Sequence, residues 1–485
     1  MDIKPRTLNH AQKRSLQESL VKMVHTFKES DHRLVGHQNS TLKTFIFCLS
    51  ALVLGCILNF YPLKTIITLS VIFFLIFVFL NPLIPFYLLL LVAPVFNPGV
   101  DLGFFTVYLG PILILLSFIF CQIRHFCING LWISTPVNVP YIIFLGIAIV
   151  SMFRNFLPGV SFRGFYLLLQ PFLVFFLITS SVRQKRLVRH IFYLFVTGGM
   201  LGALLGIFQF LIPGVFKRYT DILEMYCVPL YHGYVAPGIP RVNGMFGDAN
   251  TYGQFLVQII IFAFGLFLAE KSIKKKFYLL GALLICLIAL GLSYSRGAWF
   301  NMLAASVLLS LILIPGVTNK LKAITVIVSM FFFLIYAIPD FTPRFLSFFN
   351  PYESSRVTRL QQYKDTIAEI LEHPFLGRGV GFYQYHGQLQ AAAHNIYLNI
   401  ADEIGIPGLM VFLWILFIVG RDSIRFLREA DESTRILVAT LLSGIVAFFG
   451  HGIIGNELYS VKIGWIPGFA MGLIYSLRKM YFNKN

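Results

Sequence analysis

From residue 44 onward the chain alternates long apolar runs with short polar connectors. A helix needs about 20 apolar residues to cross the hydrocarbon of a bilayer. The pattern predicts spans near 44–60, 64–80, 82–97, 104–123, 137–153, 164–181, 190–212, 249–269, 277–294, 298–315, 322–339, 396–420, 436–455 and 461–478. In lipid every backbone polar group must find its partner within the protein, and helices do so locally. The expected fold class is therefore all-α, a polytopic bundle of about 12–14 transmembrane helices. The second and third runs are short enough to form one dipping pair instead.

Two connectors break the pattern by their length. Residues 213–248 are rich in Pro, Gly and Tyr, and residues 340–395 hold most of the polar chemistry. Within the second, Ser354 to Glu372 reads as an amphipathic helix. Ser354 or Ser355 can cap its start, Val357, Leu360, Ile367 and Leu371 form an apolar stripe, and Pro374 ends it. The stripe predicts packing against the membrane domain. Ahead of the first run, Leu16, Leu20, Met23, Val24 and Phe27 recur at helical spacing among Lys13, Arg14, Lys22 and Lys28. That suits a helix lying on an anionic leaflet, or a disordered tail. The organisation expected is a basic tail (1–43), amino-terminal helices (44–189), core helices with the 213–248 loop (190–339), a long outer loop (340–395), and carboxyl-terminal helices with a tail (396–485).

Composition strengthens the membrane reading. The chain is 57% hydrophobic and 12% charged, where soluble domains carry about 25% charge. The net charge of +18 would suggest nucleic acid in a soluble protein. Here the basic residues gather in connectors, at Arg183 to Arg189, Lys271 to Lys276, Arg421 to Arg428 and Arg478 to Lys484. This is the positive-inside pattern, and it places both termini in the cytoplasm. No basic stripe is interleaved with stacking aromatics, so no nucleic-acid partner is expected. The cysteines, Cys48, Cys56, Cys121, Cys127, Cys227 and Cys286, form no CxxC, so neither a disulfide framework nor a zinc site is expected. The polar stretch before the first run argues against a cleaved leader.

Against that topology, arginine on the outer side is anomalous. Arg154, Arg163, Arg218, Arg241, Arg296, Arg344, Arg356, Arg359 and Arg378 all fall there. A guanidinium group binds oxyanions bidentately, so such a grouping suits a phosphate or diphosphate ligand. Arg241 precedes a span in Arg-Val-Asn-Gly-Met-Phe-Gly-Asp-Ala-Asn, where it either meets a ligand or snorkels at the interface. Arg296 sits in a very short turn, Ser-Tyr-Ser-Arg-Gly-Ala-Trp, facing a polar cavity or bracing a helix. Arg356 and Arg359 share a helical face that is a ligand surface or a solvated one. Gly377-Arg378-Gly379-Val380-Gly381 follows no strand and opens no helix, so it reads as a flexible turn and not a dinucleotide loop. His394, in His-Asn-Ile-Tyr-Leu, is placed to accept a proton at neutral pH or to serve as a structural hydrogen-bonder. Asp402 and Glu403 follow within two turns, where they can orient His394 or balance arginines. His373, His386 and His451 are too dispersed to make a metal site with it.

His394-Asn395, nine residues, then Gly405-Ile406-Pro407-Gly408 resembles the signature of the O-antigen ligase and polymerase superfamily. Arg241 to Asn250, Ser293 to Trp299, and Arg359 through His373-Pro374-Phe375-Leu376-Gly377-Arg378-Gly379 are similar too, in order, over roughly residues 190–420. The resemblance implies a membrane-embedded glycosyltransferase of the multi-helix type C architecture in the bacterial cytoplasmic membrane. Such enzymes take a glycan from undecaprenyl diphosphate at the outer face and join it to an acceptor hydroxyl on a glycan, lipid or protein. They are thought to need no metal or other cofactor and to invert the anomeric centre. By motif position His394 matches the proposed general base, and Arg241 and Arg359 match the arginines that hold the diphosphate. Arg296 matches a motif arginine of less settled role, and Arg356 neighbours Arg359. The partners implied are the lipid-linked donor, the acceptor and membrane lipids, with a chain-length regulator and a flippase alongside. Residues before 180 match by hydropathy alone, which leaves ligase and polymerase both open. The alternative is a polytopic transporter or flippase of an anionic or lipid-linked substrate, though no inverted repeat supports it. A scaffold of an export complex is a third reading.

Overall fold

Helix is the only regular element of any length in the computed structural model, which describes residues 73–97, 99–101, 106–129, 134–216, 234–236, 239–337, 341–382 and 393–482. The basic tail, the 44–60 span, most of the 64–80 span, Arg218 and His386 lie outside the described residues. The chain divides into a small unit, residues 1–83 with 119–132, and a large one, residues 84–118 with 133–485. In the small unit Phe79, on α1 (Phe73–Leu80), meets Phe120 edge to face at 6.1 Å.

The rest runs as α2 (Ile84–Val92), α3 (Leu109–Asn129), α4 (Asn138–Met152), α5 (Pro158–Ser181), α6 (Lys185–Leu211), α7 (Ala249–Ala269), α8 (Ile273–Leu292), α9 (Arg296–Leu313), α10 (Val317–Ala337), α11 (Phe341–Leu346), α12 (Ser354–Glu372), α13 (Ile396–Glu429), α14 (Glu432–His451) and α15 (Ile466–Phe482). Strand is confined, among the described residues, to two short antiparallel ribbons, Gly99–Asp101 with Thr106–Tyr108 and Tyr234–Ala236 with Ile239–Pro240.

Seven helices, α5 to α9 with α13 and α14, are long and apolar enough to cross a membrane. Each overlaps a predicted span. The remaining predicted spans within the described residues are also helical, but α2, α4 and α15 are only 9, 15 and 17 residues long. Of the expected 12–14 spans, seven pass this measure among the described residues, and the 44–60 run and most of the 64–80 run lie outside them. α15 is buried within the bundle from Ile466 to Leu477.

The core is aromatic and closely packed. Phe195 of α6 lies 5.1 Å from Phe262 of α7 and 5.3 Å from Phe469 of α15, and Phe86 of α2 closes the group at 5.9 Å from Phe469. Where helices approach most closely the contact residue is small. A Cβ at Gly468 would strike the backbone of Pro171 on α5, and one at Gly472 would press on Ile178. With lipid as apolar as leucine, it is such close fit that holds membrane helices together.

Connectivity sorts the helix ends into two sets. The short turns α5–α6, α7–α8, α9–α10 and α13–α14 share one end, where Lys185 pairs with Asp431 at 3.1 Å and Arg435 donates to the Ile312 carbonyl. The long connectors and the Ser293–Ser295 turn share the other, where the Ile396 amide donates to the Gly452 carbonyl. The outer-side arginines that the structure describes belong to this second end.

α12 has the predicted bounds but packs through a different face. Val357, Leu360, Ile367 and Leu371 are exposed, while Gln362, Thr366 and Ile370 are buried. The stripe therefore does not dock the helix on the bundle. Periodicity reports which face avoids water, and beside a membrane that face need not meet protein.

Candidate functional site

The site grows from two turns tied together. In the 241–250 loop, Arg241 donates from Nε to the Ser293 carbonyl at 3.1 Å and from an Nη to Asn250 Oδ1 at 3.0 Å, and Ser295 Oγ donates to the same oxygen. Gln209 of α6 holds this loop from behind, its Oε1 accepting from the amides of Asn243 and Gly244. Asp248 caps α7, its carboxylate accepting from the amides of Asn250 and Thr251. The tight path needs left-handed backbone at Gly244 and Gly247, with φ of +51° and +77°.

The second turn delivers Arg296 at the first position of α9. One Nη donates to Ser347 Oγ at 2.7 Å and the other to Glu353 Oε1 at 2.8 Å. Arg344 of α11 stands 3.9 Å from the same carboxylate oxygen. Aromatic packing fixes α11 there, with Phe341 stacked on Trp299 at 4.8 Å. Glu353 immediately precedes α12, so the carboxylate shared by these arginines sits at the root of the helix that carries Arg359.

Four guanidinium groups thus share one electrostatic environment. Burial holds Arg241 below its ordinary value; Asp248 and Glu353 oppose the shift while Arg296 and Arg359 add to it. Arg344 is pushed down to about 10, by burial first and then by Arg296 and Arg241. Asp248 and Glu353 are the carboxylates acting on Arg241, and Glu353 also acts on Arg344, so arginines outnumber carboxylates around each among the described residues. Among the described residues no carboxylate forms an ion pair with Arg241 or Arg359. Arg296 and Arg344 by contrast already have Glu353.

His394 stands beside this group. It is exposed, yet desolvation and the Arg359 charge hold its imidazole below the ordinary 6.5, against the pull of Asp248 and Glu457. A base so held is neutral near pH 7 and ready to take a proton. Asn395 caps α13 through the amides of Tyr397 and Leu398, and this fixes the backbone of its neighbour. Tyr363, one turn beyond Arg359 on α12, donates to the His394 carbonyl at 3.1 Å and to the Ile453 carbonyl at 2.8 Å.

The candidates read from sequence do not all converge. Arg241, Arg296, Arg359 and His394 influence one another electrostatically, whereas Arg356 is exposed. Arg344 joins them although the sequence marked it only as one outer arginine among nine. Its available signal was a lone charge in the aromatic stretch Phe341 to Phe349.

Asp402 and Glu403 serve a separate assembly. Arg378 is buried and grips Asp402 in a fork, Nε to Oδ1 at 2.7 Å and Nη to Oδ2 at 2.5 Å, with Glu369 at 3.5 Å. Glu403 accepts from the Gly381 amide, and the carbonyls of Asp402 and Glu403 accept from the amides of Arg378 and Gly379. The Gly377–Gly381 stretch is therefore a packed strap and not the flexible turn expected. At its far edge α13 breaks at Gly405, where φ is +79° and a Cβ would run into the Phe375 carbonyl. Glu369, Glu372 and His373 could together reach a metal ion. Of the three, Glu369 already faces Arg378 and His373 Nδ1 lies 3.1 Å from Arg154, while Glu372 is exposed.

Residues 281–413 match a protein-family model described as O-Antigen ligase. The match starts within α8 and ends within α13, taking in Arg296, Arg344, Arg359 and His394 and leaving Arg241 outside it. No curated protein gives a match.

Proposed function

We propose that this chain, whose residues 281–413 match the O-antigen ligase family model, transfers a glycan from undecaprenyl diphosphate to an acceptor hydroxyl at the outer face of the cytoplasmic membrane. The observation that carries this reading is the excess of guanidinium groups over carboxylates around Arg241 and Arg344. A diphosphate diester bears two negative charges, so the site suits that leaving group by charge as well as by donor type.

The steps follow from the groups in place. Arg241 and Arg359, free of carboxylate partners among the described residues, hold the diphosphate oxygens. His394 accepts the acceptor's hydroxyl proton on a ring nitrogen as that oxygen attacks the anomeric carbon. The bond from that carbon to the diphosphate breaks on the opposite face, so the configuration inverts. Negative charge growing on the leaving oxygen is met by guanidinium groups already oriented, and such preorganised donors supply most of their benefit in the transition state. This chemistry asks nothing further of a metal. A chain-length regulator and a flippase fit the polymerase version of the reaction.

The test is glycan transfer by the purified protein in lipid, with an undecaprenyl-diphosphate oligosaccharide as donor, EDTA in one arm and His394→Ala as control. A ladder of lengthened carrier-linked glycan establishes a polymerase; a single shift of an added lipid or protein acceptor establishes a ligase. His394→Ala is expected to lower the rate by about 10²–10⁴. Transfer by that variant at the parent rate would remove His394 as the base.

A further inference from the structure

At the end of the bundle away from the arginine cluster, α9, α13 and α14 leave a groove between them with a volume of about 650 Å³. That lies within the roughly 300–1,000 Å³ of small-ligand cavities. Leu308, Ile424 and Leu442 make its walls apolar, and Arg428 and Arg435 stand at its rim. Gly420 opens its floor, since a Cβ there would meet no atom within 4 Å.

We propose that this groove binds an anionic phospholipid, with an acyl chain along the apolar walls and the phosphodiester between Arg428 and Arg435. The charge is complementary on both sides of that statement. Among the described residues neither arginine has a carboxylate partner. Of the neighbouring acids, Asp431 is taken by Lys185, Ser433 and Thr434 and Asp422 by Arg421, Arg478 and Tyr475, while Glu429 and Glu432 are exposed. Arg435 spends one nitrogen on the Ile312 carbonyl at the end of α9, which fixes the guanidinium at the groove and leaves its other nitrogens to donate. Basic pockets between membrane helices recognise acidic lipid head groups in this way. A polyprenyl tail would fill the walls equally well but brings no charge to the rim.

The site is tested by native mass spectrometry of the full chain in detergent, titrated with phosphatidylglycerol and with phosphatidylcholine. Phosphatidylglycerol is expected to bind about tenfold more tightly, the scale of one charge-assisted hydrogen bond. Arg428→Gln with Arg435→Gln should erase that preference. Gly420→Leu should block the groove and weaken both lipids, and because leucine favours helix over glycine the variant keeps its fold. Equal affinity for the two lipids in the parent protein overturns the proposal. So does phosphatidylglycerol binding that Gly420→Leu leaves unchanged, or displacement of that lipid by an uncharged polyprenol.

Discussion

A single arginine and a group of four lie at the same end of this bundle and have opposite surroundings. Arg378 is buried in a fork with Asp402, backed by Glu369, and the strap it belongs to gives its amides to the carbonyls of α13. Around Arg241 and Arg344, by contrast, guanidinium groups outnumber carboxylates among the described residues. Where charge is satisfied within the chain, the arginine is part of the scaffold. Where it is left over, something from outside must satisfy it. The distinction is between saturation and surplus, and residue type alone does not reveal it.

The comparison can be broken most severely at the strap. Arg378→Gln would leave Asp402 buried without its partner, which costs about 3–5 kcal/mol. The variant should unfold at clearly lower temperature in a detergent melt, whatever its activity; a melt matching the parent would mean that the fork contributes nothing. In the surplus group, Arg359→Lys keeps the charge and loses the fork. Transfer should fall about 10²–10³, as when one oxyanion donor is removed, with the melt unchanged. Near-parent turnover would make Arg359 structural and erase the contrast.

A smaller effect separates the charge of Arg359 from its contacts. Desolvation and that charge both hold His394 below 6.5. A base works when neutral, so the rate should stay level as pH falls to 6.5 and decline only through the lowered value. Arg359→Gln removes one of the two causes, and the acid limb of its residual activity should move to higher pH. An unmoved limb would show that the two groups do not communicate. Smallest of all, Arg356→Gln should change transfer by less than about twofold, since an exposed helical charge makes little difference. A tenfold loss would bring Arg356 into the site.

Much of this was legible from residue patterns, and the failures share a cause. α12 runs from Ser354 to Glu372 as read, because Pro374 leaves little freedom at its end. Its buried face was misjudged because hydropathy cannot tell a face against protein from one against lipid. The surplus group was readable in part, through motif position for Arg241, Arg296, Arg359 and His394. Arg344 and Glu353 were not, because their roles arise from α11 folding back onto Trp299. The strap was misread because three glycines at Gly377, Gly379 and Gly381 look loose in sequence, while in space all have positive φ and lie against other backbone.

The burial of the Arg378–Asp402 fork has a consequence for ionic strength. Mobile ions screen charges that water can reach, within about 8–10 Å at ordinary salt, and reach a buried pair far less. Arg378 and Asp402 expose 10% and 2% of their side chains. Added salt should therefore weaken the hold of the surplus arginines on the proposed diphosphate while the strap stays closed. A rise in ionic strength at the site would slow the proposed transfer without loosening the strap, and dilution would restore the rate at once.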